Sequence, residues 1–310
     1  MSIENSTDTY TNLRIMNWME IIDNVFHLYR KHFLLFIGIS IIYFIVGSVE
    51  DKLFNFLWKN NPYRLIEELI SYLLSELVIV VFVIATSEIY FNRHITIRDT
   101  LQRFINISPR YLVPVFIYLI PLSILSLIQD IVFAGIRYFS VVTLISLFLL
   151  TQIVRTYFLI TWQLYAPVIV VEGSMKPKPM RRSRALIRKS WWRVFSTIFT
   201  LKILLRAIRI IFVASFVLLL GMFGLMGDAP VWDIVEYVLR SSVGYFSGKP
   251  PPFEVGSTSY IILISLYSVI GVLVKPLHAI AITLIYFNQR VKREGFDIEM
   301  KISQDDAPRT

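Results

Sequence analysis

"YIILISLYSVIGVLVKPLHAIAITLIYFNQRVKRE" runs from Tyr260 to Glu294 and decides the fold. Its apolar part reaches residue 287, and Arg290, Lys292 and Arg293 follow at once. About 20 apolar residues cross a bilayer core, so this is a membrane span that ends in cations. Five more runs read the same way, at roughly 33–49, 69–91, 111–135, 139–171 and 194–226. The expected fold is therefore all-α: a polytopic bundle of six transmembrane helices. The first span is short. The fourth and fifth are long enough to tilt or to protrude.

Composition agrees. Of 310 residues, 55% are hydrophobic and 17% charged, with mean hydropathy +0.62, whereas soluble domains carry about a quarter charged residues. With no cysteine, there can be no disulfide framework, iron–sulfur cluster or thiolate metal site. Histidines 27, 32, 94 and 278 lack ligand spacing, and His27 and His32, five apart, do not share a helix face. No metal or cofactor is expected. No P-loop, dinucleotide fingerprint, H-E-x-x-H or G-x-S-x-G occurs. No segment between spans approaches the ~50 residues of a small domain, so no enzyme is expected. The net charge of +9 bears on topology and anionic lipid rather than nucleic acid.

The connections on one side, with both termini, hold twenty Lys and Arg; the opposite connections hold six. Basic residues collect in cytoplasmic loops. Both termini are thus expected in the cytoplasm, in the cell membrane of a prokaryote. A single membrane domain is expected over 15–299, with disordered tails at 1–14 and 300–310. The first 32 residues lack the pattern of a cleaved leader.

A weak threefold pattern runs through the chain. The junctions "YRKHF", "SPRYL" and "SWWRVF" each precede an outward span, after a cytoplasmic amphipathic segment, so three interfacial amphipathic helices are expected on the inner face. Spans two and six end in similar words, "EIYFNR" and "LIYFNQR". This is either a true repeat or the aromatic and basic character common to membrane junctions. The first amphipathic segment is the clearest. Ile15, Met19, Ile22, Phe26, Tyr29 and Phe33 recur at helical spacing, as in a helix lying in the interface.

"SMKPKPMRRSRALIRKSWWRVF" (Ser174 to Phe195) is the densest basic stretch, with a helix expected from about Met180. Arg181, Arg184 and Arg188 share a face, and Trp191 and Trp192 suit the headgroup level. Lys202, Arg206 and Arg209 continue as a stripe into span five. The group reads either as an anionic-headgroup site or as a topology determinant with snorkelling side chains. Glu88 and Glu172 are candidate partners for the stripe. Deeper lie Glu76, Asp130, Arg155 and Lys275, with His278 beside a Pro276 kink. Glu76 and Asp130 are expected near the outer face, Arg155 and Lys275 deeper. These residues read as structural ion pairs or as an ion path.

"YFNQRVKREGFDIE" (Tyr286 to Glu299) resembles the C-terminal signature of the glycerophosphoryl diester phosphodiesterase membrane domain family, which reads "LRVRKEGFDLE". Tyr286, Arg290, Val291, Lys292 or Arg293, Glu294, Gly295, Phe296, Asp297 and Glu299 match, while Asn288 and Gln289 depart from the usual Asp-Leu. "MEIIDNVFHLYRKHF" (Met19 to Phe33) and "PVIVVEGSMKPKPMRRSRALIRKSWWRVF" (Pro167 to Phe195) are similar to two other segments of that family. The resemblance implies a stand-alone six-helix domain, without the catalytic barrel, in a glycerophospholipid context. The leading expectation is a non-enzymatic membrane module that binds anionic phospholipid or a membrane-protein partner. The alternatives are a small transporter or channel-like protein and a component of glycerophospholipid metabolism.

Overall fold

The computed structural model describes residues 15–57, 64–134, 140–173, 178–223 and 258–295. The expected tails, and Phe296 and Asp297 of the C-terminal signature, lie outside the described residues. Nine helices and no strand occur among those described: α1 Trp18–Lys31, α2 Phe33–Leu57, α3 Arg64–Tyr90, α4 Ile97–Ala134, α5 Val141–Trp162, α6 Tyr165–Glu172, α7 Pro179–Ile187, α8 Trp191–Met222 and α9 Thr258–Glu294. Six apolar stretches are long enough to cross a membrane: Phe33–Glu50, Leu69–Tyr90, Ile97–Gln129, Val142–Glu172, Trp191–Met222 and Val269–Glu294. Large apolar side chains stay exposed along them, among them Leu34, Ile45, Ile153 and Phe212. Surfaces this apolar need lipid rather than water. The protein is a multi-pass, all-α membrane bundle.

The chain divides into two compact units. One comprises residues up to Thr197 and from Ala279 onward; the other is Ile198–His278. In the first, α3 packs against α2, α4 and α6, and α7 lies against α5 and α6. Its core includes Phe36, Phe82, Tyr111, Leu164, Tyr286 and Phe287, all below 2% exposed.

Local sequence explains the helix ends. Asn17 and Glu20 form a reciprocal capping box at the start of α1. The side of α1 that packs on the protein carries Ile21 and Val25, while Ile15 and Met19 of the expected apolar stripe stay exposed. Asn92 takes a left-handed conformation, φ 53°. The Asn92 N–H donates to the Ile89 carbonyl (2.9 Å) and the Arg93 N–H to that of Glu88 (3.0 Å). This is a Schellman closure that turns the chain sharply after α3.

Two expectations change. The second amphipathic segment is not a separate helix: it runs through Pro109 into the span as one 38-residue helix. Conversely, span four is broken between Trp162 and Tyr165. Pro167 has no N–H and its ring crowds the carbonyl four residues earlier. Buried Ser183 of α7 repairs the break: its Oγ accepts from the Leu164 N–H (3.2 Å) and donates to the Thr161 carbonyl (2.8 Å).

Candidate functional site

α7 begins with Pro179 at a first-turn position, where no N–H is needed. It buries Met180, Ser183, Leu186 and Ile187, leaving Arg181 and Arg184 exposed. The chain then turns at residues 188–190 and enters α8. This turn, with Tyr157 of α5 and Lys292 of α9, lines a cavity of about 650 Å³. Trp191 forms its aromatic wall. The indole stacks on Phe195 (centroids 5.3 Å apart) and on Tyr157 (6.2 Å), with Trp192 edge-on at 4.9 Å.

Arg188, Lys189, Arg193 and Lys292 surround this wall. Among the described residues their side chains make no ion pair or hydrogen bond. The Trp191 Nε1–H is buried and also lacks an acceptor there. A buried donor left unsatisfied costs about 1–3 kcal/mol. The cavity thus offers an indole donor, four cations and an apolar wall, which together suit the phosphate of an amphiphile.

Arg188, Trp191 and Trp192 of the expected headgroup set meet here. Arg181 and Arg184 lie outside the lining. Lys202, Arg206 and Arg209 belong to the second compact unit. Tyr157, Lys189, Arg193 and Lys292 were not in that expected set. Lys292 is brought in from more than a hundred residues away; the sequence marked it only as a cation ending the last span and as part of the C-terminal phrase.

A second basic cluster lies nearby within the same unit, and carboxylates hold its Arg182 and Arg290. Arg182 bonds both Glu172 oxygens through Nε (3.0 and 3.1 Å) and reaches Glu294 through Nη1 and Nη2 (2.6 and 2.7 Å). The Tyr286 hydroxyl donates to Glu172 (3.0 Å), and Arg290 Nε to Glu294 (3.3 Å). Arg293 donates to the Ala185 carbonyl (2.7 Å), in the last turn of α7, where carbonyls lack helical donors. Glu88 bonds Arg103 and Arg93. Both carboxylates suggested as partners of the span-five stripe therefore have other cations.

The C-terminal phrase ties the unit together. The Asn288 carbonyl oxygen accepts from the Met16 N–H (2.8 Å), and its amide donates to the Met16 carbonyl (3.1 Å). Gln289 accepts from Ser190 (2.6 Å), and Phe287 stacks on Tyr90 (4.3 Å, interplanar 5°). Asn288 and Gln289, the departures from the resembled signature, are buried and hydrogen-bonded. Val291 is buried, and Gly295 closes α9 at φ 62°. "EIYFNR" and "LIYFNQR" thus do different work: Asn92 ends a helix, whereas Asn288 clamps a distant segment from inside one.

Among the intramembrane residues, Glu76 accepts from the Tyr165 hydroxyl (2.8 Å), which accepts from Tyr111 (2.5 Å). Tyr118 stacks on Tyr165 (4.9 Å) and lies within electrostatic reach of Glu76 and Arg155. Arg155 donates to Gln129 (3.3 Å). Glu76 and Arg155 are therefore both within electrostatic reach of the same tyrosine cluster. The Asp130 side chain falls outside the described residues. Lys275 and His278 belong to the second unit, where Lys202 is within electrostatic range of His278. No group of three or more His, Asp or Glu is placed to hold a metal among the described residues.

Six apolar spans with a basic, tryptophan-walled cavity at a helix turn define a multi-pass integral membrane protein. The chain belongs to the DUF8558 family, a domain of unknown function, whose match covers residues 44–239. No curated protein and no solved structure matches it.

Proposed function

We propose that this protein is a non-enzymatic membrane module that holds an anionic phospholipid headgroup in the cavity of the α7–α8 turn, at the cytoplasmic face of the cell membrane. The observation that carries it is the Trp191 indole among four cations, none of which has a hydrogen-bond or ion-pair partner among the described residues. The excess of basic residues on the side of both termini supports the cytoplasmic assignment. The resemblance of the C-terminal phrase supports a glycerophospholipid as the ligand class.

The test is native mass spectrometry of the detergent-purified protein, reading co-purified lipid. Each basic residue near the surface is worth about 1 kcal/mol toward anionic lipid. Changing Arg188, Lys189, Arg193 and Lys292 together to Gln should therefore lower phosphatidylglycerol retention at least ~10-fold. Unchanged retention would reduce the cluster to a topology signal.

The Glu76–Tyr165–Tyr111 chain favours a second reading, a small transporter or channel-like protein, because intramembrane charge often marks an ion path. Proton flux in reconstituted vesicles that is abolished by Glu76→Gln would support it; no flux above protein-free vesicles would remove it.

A further inference from the structure

Three of the four histidines, separated in the sequence, meet at a second cavity of about 470 Å³ in the first unit. His27 comes from the exposed side of α1. His32 caps its C-terminal end, with φ −117° and ψ 33°. Because α1 stops at Lys31, helical spacing does not govern His32, which reaches the same cavity as His27. The Schellman turn after α3 delivers Arg93 and His94 from the opposite wall. Lys31 and Asn24 complete the polar lining.

Among the described residues, no carboxylate lines this cavity. The nearest along the chain are Asp23, which is exposed beside Asn24 on α1, and Glu88, which already bonds Arg103 and Arg93. Among the described residues, the side chains of His27, Lys31, His32 and His94 make no hydrogen bond or ion pair. A metal is a poor occupant: the histidines are not placed to ligate one together, and Lys31 and Arg93 would repel it. Two permanent cations, three imidazoles and an amide donor call for a compact polyanion.

We infer that this cavity binds a phosphate-class tetrahedral oxyanion, and that binding strengthens as pH falls because His32 takes up a proton with it. Lys31 on α1 and Arg93 on the α3–α4 turn hold the anion at any pH. His32 adds charge as pH falls. Burial, then the charges of Lys31, His27 and His94, push His32 below its ordinary value. An anion in the cavity opposes that shift and favours the protonated imidazole. Binding then takes up protons, so by linkage affinity must rise as pH falls. Tyr90, also in the lining, brings a hydroxyl and no charge near neutrality.

Sulfate is the right probe for the pH series, because it does not titrate in this range whereas phosphate does. Calorimetry on the detergent-solubilised full chain should show sulfate affinity rising roughly tenfold from pH 8 to pH 6. The triple change His27→Gln, His32→Gln, His94→Gln should cut the gain between pH 8 and pH 6 to less than about twofold. Lys31→Gln with Arg93→Gln should lower affinity at every pH. The Gln variant of Arg188, Lys189, Arg193 and Lys292 should behave as wild type, which separates this cavity from the headgroup site. Side-chain NMR of labelled histidine in the unaltered protein, recorded with and without sulfate, gives the same answer if a variant fails to fold. Histidine signals should shift toward the protonated form when sulfate is added at pH 7. Inorganic phosphate and nanodiscs containing phosphatidic acid, compared at fixed pH, distinguish a soluble phosphate from a lipid headgroup. No binding of any probe, a flat pH profile in the wild type, or a profile unmoved in the histidine variant would overturn the inference.

Discussion

Arg182 and Arg188 stand six residues apart on one basic stretch, yet their surroundings are opposite. Arg182 is 22% exposed and held by two carboxylates, one from α6 and one from the end of α9. Arg188 is exposed, and its side chain has no partner among the described residues. The difference is one of available counter-charge. Glu172 and Glu294 are used up by Arg182, Arg290 and Tyr286. The cations of the next turn are left over, gathered around a tryptophan. A positive cluster that the protein neutralises is architecture; one it leaves unneutralised is open to an outside anion.

That contrast is easiest to break at Glu172. Replacing it with Ala would strand Arg182 and the Tyr286 hydroxyl in a partly buried site. Removing one partner of a buried pair costs about 3–5 kcal/mol; with Arg182 at 22% exposure and Glu172 at 17%, about 2–3 kcal/mol is expected after screening. Thermal unfolding in detergent should show a clear fall in Tm. A variant as stable as wild type would mean that the paired cluster is no lock.

Asn288→Ala comes next. It removes both bonds to the Met16 backbone and leaves a buried N–H and carbonyl unsatisfied, at about 2 kcal/mol. The loss should be local as well as global, with residues near Met16 exchanging amide hydrogens faster. A smaller effect, about 1 kcal/mol, is expected of Arg182→Lys, because an ammonium cannot reproduce the planar fork that spans Glu172 and Glu294. Were Lys to serve equally well, the cluster would be a matter of charge alone.

How much of this the sequence disclosed follows from the range of the forces involved. Span lengths, the amphipathic α1 and the start of α7 near Pro179 depend on local periodicity and local backbone chemistry, so they could be read directly. Asn288 could not: its partner, Met16, lies 272 residues away. Nothing local distinguishes a clamp from an ordinary polar residue at a membrane boundary. The histidines were missed for a related reason. Spacing arguments assume a continuing helix, and α1 ends between His27 and His32. The break at residues 163–164 had a local sign in Pro167, but its repair by Ser183 came from another helix.

Trp191→Phe should perturb stability least and is the sharpest test of the unpaired side. Phenylalanine keeps the stack on Phe195 and Tyr157 but removes the indole N–H. Among the described residues that donor is buried without an acceptor, so its loss relieves a desolvation cost while the smaller ring gives up some packing. The two effects oppose, and stability without lipid should stay within about 0.5 kcal/mol of wild type. Lipid retention should fall roughly fivefold, the equivalent of one lost hydrogen bond of about 1 kcal/mol. If the indole were structural, both quantities would fall together. A drop in retention at constant Tm marks a group kept for its ligand rather than for the fold.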